Sequence, residues 1–215
     1  MKALGMIEVY SFSTAVAAAD AAAKAADVSI IAFDRNRPIS PDVPAPLVME
    51  IKMEGNVSAV RAAVDAAVDF AKREGKYIVS HVIANPDKDT EKMAYLMDMN
   101  KDKFNKNFPK TMKGVTAPAK TGESLGLIEI QGLVAAIEGL DNMLKTADVR
   151  LVHTEKRLGG RLVTMVIAGT VSAVSAAIES GYQAGGVLGE VYGREVIASP
   201  HEEILKFFDM GNTEE

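Results

Sequence analysis

The chain repeats a long segment of its own sequence. Residues 4–28, LGMIEVYSFSTAVAAADAAAKAADV, return as residues 125–149, LGLIEIQGLVAAIEGLDNMLKTADV, with 10 identities in 25 positions at an offset of 121. A second pair follows, GNVSAVRAAVDAAV at 55–68 and GTVSAVSAAIESGY at 169–182, at an offset of 114. The closing segments VIANP (82–86) and VIASP (196–200) keep that offset. The chain is therefore a tandem duplication.

The drop in offset locates an insertion. The first copy holds seven more residues than the second between the two matched blocks, and the proline-rich RPISPDVPAPL (37–47) is the natural place for them. Proline-rich stretches of this kind are typical of loops.

Each copy predicts the element order β-α-β-β-α-β. ALGMIEV alternates as a strand does, and residues 13–26 have apolar residues at helical spacing after Ser13, a candidate N-cap. Residues 28–33 and 46–54 read as strands, 56–75 as a helix from Asn56 to Gly75, and KYIVSHVIA as the last strand. This order predicts an α+β chain of two ferredoxin-like domains, each an antiparallel sheet with helices on one face.

We place the first domain at residues 1–88, a linker at 89–122 and the second domain at 123–215. The linker is charged, but its residues 89–104 carry apolar side chains near helical spacing. They predict a helix that either packs as part of the linker or binds a partner.

The amino-acid composition argues against several classes of function. Hydrophobic residues make up 48% and charged residues 25%, as in a folded globular protein, and the net charge of −5 disfavours nucleic acid or an anionic membrane as the main partner. Without cysteine there are no disulfides and no cysteine-held metal clusters. Glu8 interrupts the apolar run near the N-terminus, so we expect no secretory signal and a cytoplasmic location.

No set of residues predicts catalysis. His81, His153 and His201 lack the short spacing of a metal site. Glu8 and Glu129 occupy equivalent strand positions, where each glutamate is either satisfied by the backbone or a lysine at a subunit contact, the interpretation we prefer, or belongs to a carboxylate pair that meets across a symmetric interface. The glycine-rich GYQAGGVLGEVYG (181–193) follows a helix, so we attribute its glycines to helix termination. A non-enzymatic protein without cofactor or metal is expected.

Several of these motifs occur together in one known family. The G-x-[IV]-E strand, the D-x-x-x-K-x-[AS]-x-V helix end, the EKRLGG turn and the G-x-V-x-A-V helix start closely resemble those of bacterial microcompartment shell proteins. Both copies match, so the chain resembles the tandem-domain, unpermuted class. That resemblance implies a homotrimer whose six domains imitate a hexamer, tiling with hexameric shell proteins in a microcompartment shell in the cytoplasm.

The resemblance also implies two sets of site residues. Lys24 and Lys145 fall on the family's tile-edge lysine, and Asn85 and Ser199 occupy the edge position where members often carry an arginine. The turn between the second and third strands lines a central pore for small polar metabolites in the family. The corresponding residues here are Ser40, Pro41, Asp42, Leu158, Gly159 and Gly160.

Some tandem members hold an iron-sulfur cluster at that turn through a cysteine, and Ser40 in its place argues against a cluster. The alternative to a shell protein is a regulatory protein that binds a small molecule between duplicated ferredoxin-like domains.

Overall fold

The structure is a computed structural model that describes residues 2–36, 47–86, 119–120, 122–155 and 161–209. It divides into two compact units, Met1–Phe108 and Pro109–Glu215. The predicted domain limits at 88 and 123 and the predicted linker helix at 89–104 fall largely outside the described residues and stay predictions.

The first unit has the predicted element order. It consists of β1 (Ala3–Tyr10), α1 (Phe12–Ala25), β2 (Val28–Asn36), β3 (Val48–Gly55), α2 (Val57–Arg73) and β4 (Tyr77–Ile83). The strands form an antiparallel sheet in the order β2-β3-β1-β4. Alternate residues of β1, among them Ile7 and Val9, are fully buried, as expected for a strand covered by helices on one face.

The second unit repeats this arrangement. It consists of β5 (Ser124–Gln131), α3 (Leu133–Thr146), β6 (Val149–Glu155), β7 (Leu162–Gly169), α4 (Val171–Gly186) and β8 (Val191–Ile197), with the sheet order β6-β7-β5-β8. The core lies between the sheet and the two helices, where Ile128 and Ile130 of β5 pack with Met143 of α3 and Val174 of α4. The α+β class and the paired ferredoxin-like sheets are confirmed.

A short helix that the sequence reading missed follows the second sheet. This helix, α5 (Glu202–Asp209), buries Ile204, Leu205 and Phe208, which are spaced for one helical face. The His201 ring caps it, because its Nδ1 accepts a hydrogen bond of 3.2 Å from the Glu203 amide. The apolar spacing within EEILKFFD was the available signal.

Strand register locates the insertion in the hairpin turn. Asp34 pairs with Glu50 in the first unit, and their counterparts Glu155 and Thr164 pair in the second. Fifteen residues separate the first pair and eight the second, so all seven extra residues lie within the connection. Both sheets also share a bulge in the second strand, after Ile30 and after Leu151. The insertion therefore leaves the ladders unchanged.

Equivalent glycines let a helix approach the central strand in each unit. A Cβ on Gly5 would lie 2.7 Å from Val60 Cγ1, and a Cβ on Gly126 would lie 2.7 Å from Val174 Cγ1. Both distances are far below normal carbon contact. Close packing of α2 on β1 and of α4 on β5 therefore explains why this glycine recurs.

Helix limits confirm two predictions and correct two. The Asn56 side chain caps α2 by accepting a hydrogen bond of 2.8 Å from the Ala59 amide, and Gly75 follows that helix at φ +67°. Ser13 is not an N-cap: α1 already begins at Phe12, after Ser11 at φ 80°. Attributing glycines 181–186 to helix termination was also wrong, because α4 runs to Gly186.

Packing explains two of these helical glycines. A Cβ on Gly181 would lie 2.6 Å from Met143 Cγ, and one on Gly185 would lie 2.6 Å from Ile130 Cδ1. They allow α4 to pack tightly against α3 and β5.

Candidate assembly surfaces

The two ends of each sheet carry different residues, and the direction of the strands defines which end is which. At one end, which we call the lysine end, β2 starts at Val28 beside the last residue of β3, Gly55. At the other, the hairpin end, β2 finishes at Asn36 beside the first residue of β3, Val48. A strand of eight residues separates the two ends by about 24 Å. The second sheet has the same polarity.

Lys24 and Lys145 lie at the lysine ends. Each is in the last turn of its helix and pairs with the aspartate four residues earlier. Lys24 Nζ donates to Asp20 at 2.6 Å, and Lys145 Nζ donates to Asp141 at 2.5 Å. A cation in the last turn is favourable because the helix dipole is negative there. The two units therefore present the same lysine in the same local arrangement.

The two lysine pairs differ in exposure. The Lys24 side chain is 44% exposed and its aspartate is buried, whereas Lys145 is 72% exposed and Asp141 is half exposed. The hydrogen bond that Lys145 donates to the Asp141 carboxylate raises the pKa of Lys145. Both ammonium groups are therefore reachable from solvent, as an electrostatic contact with a neighbouring molecule requires.

Asn85 and Ser199 also lie at the lysine ends. Both are exposed residues in the bend after the last strand of their unit, β4 or β8. These strands form one lateral edge of their sheet, while β2 and β6 form the other. Within each unit the two predicted edge residues thus lie at the same end of the sheet, one in the last turn of a helix and the other after an edge strand.

The six predicted pore residues, Ser40, Pro41, Asp42, Leu158, Gly159 and Gly160, lie outside the described residues. Asn36 and Val48, which flank the first turn, lie at the hairpin end, and so do Glu155 and Leu162, which flank the second. Both predicted pore turns therefore leave the sheet at the end opposite the lysines.

A buried charged cluster in the first unit was not predicted. Lys52 donates to Asp34, and its ammonium lies 3.7 Å from Glu50, which faces Glu8 across the ladder. Burial raises the pKa of Glu50, while the Lys52 charge acts in the opposite direction. The spacing of two between Glu50 and Lys52 indicates that both side chains lie on the same face of β3. Their partner on β2, Asp34, could be identified only from the pairing register of the two strands.

The second unit does not repeat this cluster. Glu129, the counterpart of Glu8, is fully buried and accepts a hydrogen bond of 3.2 Å from the Thr164 hydroxyl, while valine stands at 166 where the first unit has Lys52. A group present in only one copy and neutralised by its own lysine fits a local structural role. The Thr164 hydroxyl is a partner that the structural interpretation of these glutamates did not name.

The histidines are scattered in the structure as in the sequence. His81 is exposed on β4, His153 packs against Phe208 with ring centroids 5.6 Å apart, and His201 caps α5. Across residues 2–36, 47–86, 119–120, 122–155 and 161–209, no three His, Asp or Glu side chains are grouped so as to hold a metal ion. In that same part of the chain, no helix has the length and apolar character needed to span a bilayer.

These observations define a class: a duplicated ferredoxin-like protein whose two units present the same lysine end and the same hairpin end. The chain belongs to the BMC-domain family. A model of the BMC domain matches it twice, over residues 3–86 and 124–200.

Relatives of two kinds match this chain. The bacterial microcompartment shell protein PduA of Citrobacter freundii is 45% identical over 89 residues, which is 41% of this chain and 95% of PduA. The carboxysome assembly protein CcmO of Synechococcus elongatus is 27% identical over 203 residues, 94% of this chain and 67% of CcmO. The first kind thus matches the length of one unit and the second nearly the whole duplicated chain.

A solved structure is similar as well. The crystal structure of a microcompartments protein from Desulfitobacterium hafniense is 22% identical and covers 96% of this chain and 99% of its own, with a TM-score of 0.39.

Proposed function

We propose that this chain is a structural, non-catalytic shell protein of a bacterial microcompartment. Three copies form a ring of six domains that tiles with hexameric shell proteins in the cytoplasm, and a central pore admits small polar metabolites. Membership of the BMC-domain family and the names of its relatives as shell proteins support the shell role. No cofactor is part of the proposal.

The opposite placement of the two predicted sites carries the proposal. A ring needs one part of each domain near its axis and another at its rim. In both units the flanks of the pore turn lie at the hairpin end, and Lys24 or Lys145 lies at the lysine end. A radial orientation of the strands then places the turns at the axis and the lysines at the rim, separated by about 24 Å.

Duplication fits such a ring. Joining two diverged domains in one chain gives alternating positions around a threefold axis, so one position can change while the outline is kept. The seven extra residues in the first turn are a change of this kind, because they alter the hairpin end without altering the ladders.

Mass measurement and electron microscopy test the proposal together. Native mass spectrometry of the 22.9 kDa chain is expected to show a trimer near 69 kDa, and electron microscopy is expected to show extended sheets or tubes. A reconstruction should place residues 37–47 at the threefold axis. A monomer or dimer at every concentration, or a discrete oligomer that never extends, would contradict the shell role.

The rim assignment has a matched control within the chain. Replacing Lys24 and Lys145 together with alanine is expected to abolish extended sheets and to leave the trimer intact. Lys72→Ala removes a lysine from the last turn of α2, at the hairpin end, where the second unit has Gly186 instead. That control should still form sheets. Sheets of unchanged extent in the double variant would refute the rim assignment.

A further inference from the structure

The connection between the last helix and the last strand carries opposite charge in the two units. Residues 72–76 of the first unit have the sequence KREGK, and their counterparts in the second unit, residues 186–190, have the sequence GVLGE. We call residues 72–76 the basic turn. It carries three cations and one carboxylate, whereas residues 186–190 carry one carboxylate and no cation.

Both segments are attached to their sheet by the same backbone hydrogen bond. The Lys76 carbonyl accepts a bond of 2.9 Å from the Tyr10 amide, and the Glu190 carbonyl accepts one of 2.9 Å from the Gln131 amide. Tyr10 and Gln131 end the central strands at the hairpin end. The fold therefore keeps this position and tolerates either charge, so the backbone alone does not explain a lysine at 76.

The backbone of the basic turn is fixed by a Schellman motif. Gly75 lies at φ +67°, and its amide donates a hydrogen bond of 3.1 Å to the Lys72 carbonyl. The Lys76 amide donates one of 2.9 Å to the Ala71 carbonyl. The basic turn therefore presents its side chains from a defined backbone rather than from a flexible loop.

Two aromatic rings contact the cationic groups. Lys72 Nζ lies 5.1 Å from the ring centroid of Tyr77, and Arg73 Cζ lies 5.8 Å from that of Phe70. Such cation–π contacts restrain long side chains while leaving their hydrogen-bond donors open. Alanine and valine replace the two rings in the second unit, so the rings and the cations are absent there together.

The cations of the basic turn are accessible to a ligand. Lys72 and Arg73 are exposed and Lys76 is half-buried. Among the residues that the structure describes, no carboxylate forms an ion pair with any of the three. The helix dipole favours cations in the last turn of α2, which accounts for Lys72 and Arg73 but not for Lys76, beyond Gly75.

We propose that the basic turn binds the phosphate groups of small metabolites. A phosphate monoester carries a charge of about −1.5 to −2 at pH 7 and three acceptor oxygens, so it can engage several cations where a single carboxylate cannot. A guanidinium binds phosphate through paired hydrogen bonds, and an ammonium adds a point charge.

The inference rests on the proposed function and narrows its metabolites to phosphate-bearing anions. A radial orientation of the strands places the hairpin ends, and with them three copies of the basic turn, toward the pore. Fixed positive charge there raises the local concentration of anions even though the chain as a whole has a net charge of −5.

Isothermal titration calorimetry of the full chain with inorganic pyrophosphate tests the inference. The triple variant Lys72→Gln, Arg73→Gln, Lys76→Gln is expected to bind at least about tenfold more weakly than the wild type. A matched control removes the same charge from exposed sites elsewhere and should bind within about twofold of the wild type; it carries Lys2→Gln, Arg61→Gln and Lys206→Gln. Circular dichroism verifies folding, and glucose 6-phosphate titrated in parallel distinguishes a phosphate ester from free phosphate.

The outcomes separate this inference from the ring. No saturable binding by the wild type up to about 10 mM pyrophosphate overturns the inference, and so does a triple variant that binds as tightly as the wild type. Tighter binding of a hexaglutamate peptide than of pyrophosphate also overturns it, in favour of an acidic protein partner. Mass photometry of the same samples tests the ring: a monomer that binds pyrophosphate through the basic turn overturns the proposed pore and supports the phosphate site.

Discussion

Glycine-to-alanine substitutions at two positions of the second unit should change stability in opposite directions. A Cβ at Gly126 would lie 2.7 Å from Val174 Cγ1, 2.8 Å from Ile178 Cγ1 and 3.0 Å from Ile167 Cγ1. All three side chains are buried in the core, so little space is available for them to shift. A Cβ at Gly186, the last residue of α4, would lie 3.9 Å from Val191 Cγ2, which is an ordinary van der Waals contact.

The magnitudes follow from packing and chain entropy. Overpacking a core costs about 1–3 kcal/mol, and the smaller freedom of alanine in the unfolded chain returns about 0.4–1 kcal/mol. Gly126→Ala should therefore lower the free energy of unfolding by about 1–2 kcal/mol. Gly186→Ala should raise it by about 0.5 kcal/mol, since alanine favours the helix and meets no obstruction.

Equilibrium urea unfolding of the full chain, followed by circular dichroism, measures both changes. Gly5→Ala tests the same reasoning in the first unit, where Val60 and Val64 are the obstructing residues. Truncating the obstruction with Val174→Ala should reduce the cost of Gly126→Ala, so the double variant should lose less than the sum of the single losses. If Gly126→Ala matches or exceeds the stability of the wild type, close approach of α4 does not explain this glycine.

Two further predictions concern ionisable groups. Arg150 donates two hydrogen bonds of 2.5 Å to Glu123 and thereby lowers the pKa of Glu123 below its usual 4.5. The ion pair stabilises the fold above pH 4.5, and this stabilisation is lost as the pH falls through the lowered pKa of Glu123. Arg150→Ala should therefore lower the free energy of unfolding by about 1 kcal/mol at pH 7 and by less at pH 3. An equal loss at both pH values in urea titrations would contradict this. Burial raises the pKa of Glu50 above 4.5, so its charged form opposes folding above the raised pKa and no longer does so below 4.5. Glu50→Gln should therefore stabilise the chain at pH 7.5 and give no gain in stability at pH 4. Thermal melts at the two pH values measure this difference. Destabilisation at pH 7.5 would contradict the prediction and would mean that the buried Lys52 ammonium needs the charge of Glu50.

The sequence predicted the fold well because each local signal agreed with the duplication. Asn56 and Gly75 mark the ends of α2 by their own chemistry, and the change of offset identified the hairpin connection before any register was known. Helix α5 has no second copy to reinforce its pattern, and it was missed. Ser13 failed as a cap because Ser11, at positive φ, turns the chain two residues earlier.

The surfaces were less predictable than the elements. The sequence repeat identified Lys24 and Lys145 as equivalent residues, and each lies at the lysine end of its own sheet. The exposure of Leu133, Val134 and Ile137 on α3 could not be predicted, because these residues are as apolar as those of a core helix. Only the three-dimensional structure shows that α3 is exposed where the equivalent helix α1 is buried. The cluster around Lys52 likewise depends on which β2 residue stands opposite Glu50.

Identical pairing on both sides of hairpin connections of different length has a practical consequence. Since Asp34 and Glu50 keep the partnership of Glu155 and Thr164 despite seven added residues, the connection between β2 and β3 can vary in length while the strands keep their alignment. Short foreign peptides could be grafted there, and the scaffold that displays them should retain its architecture.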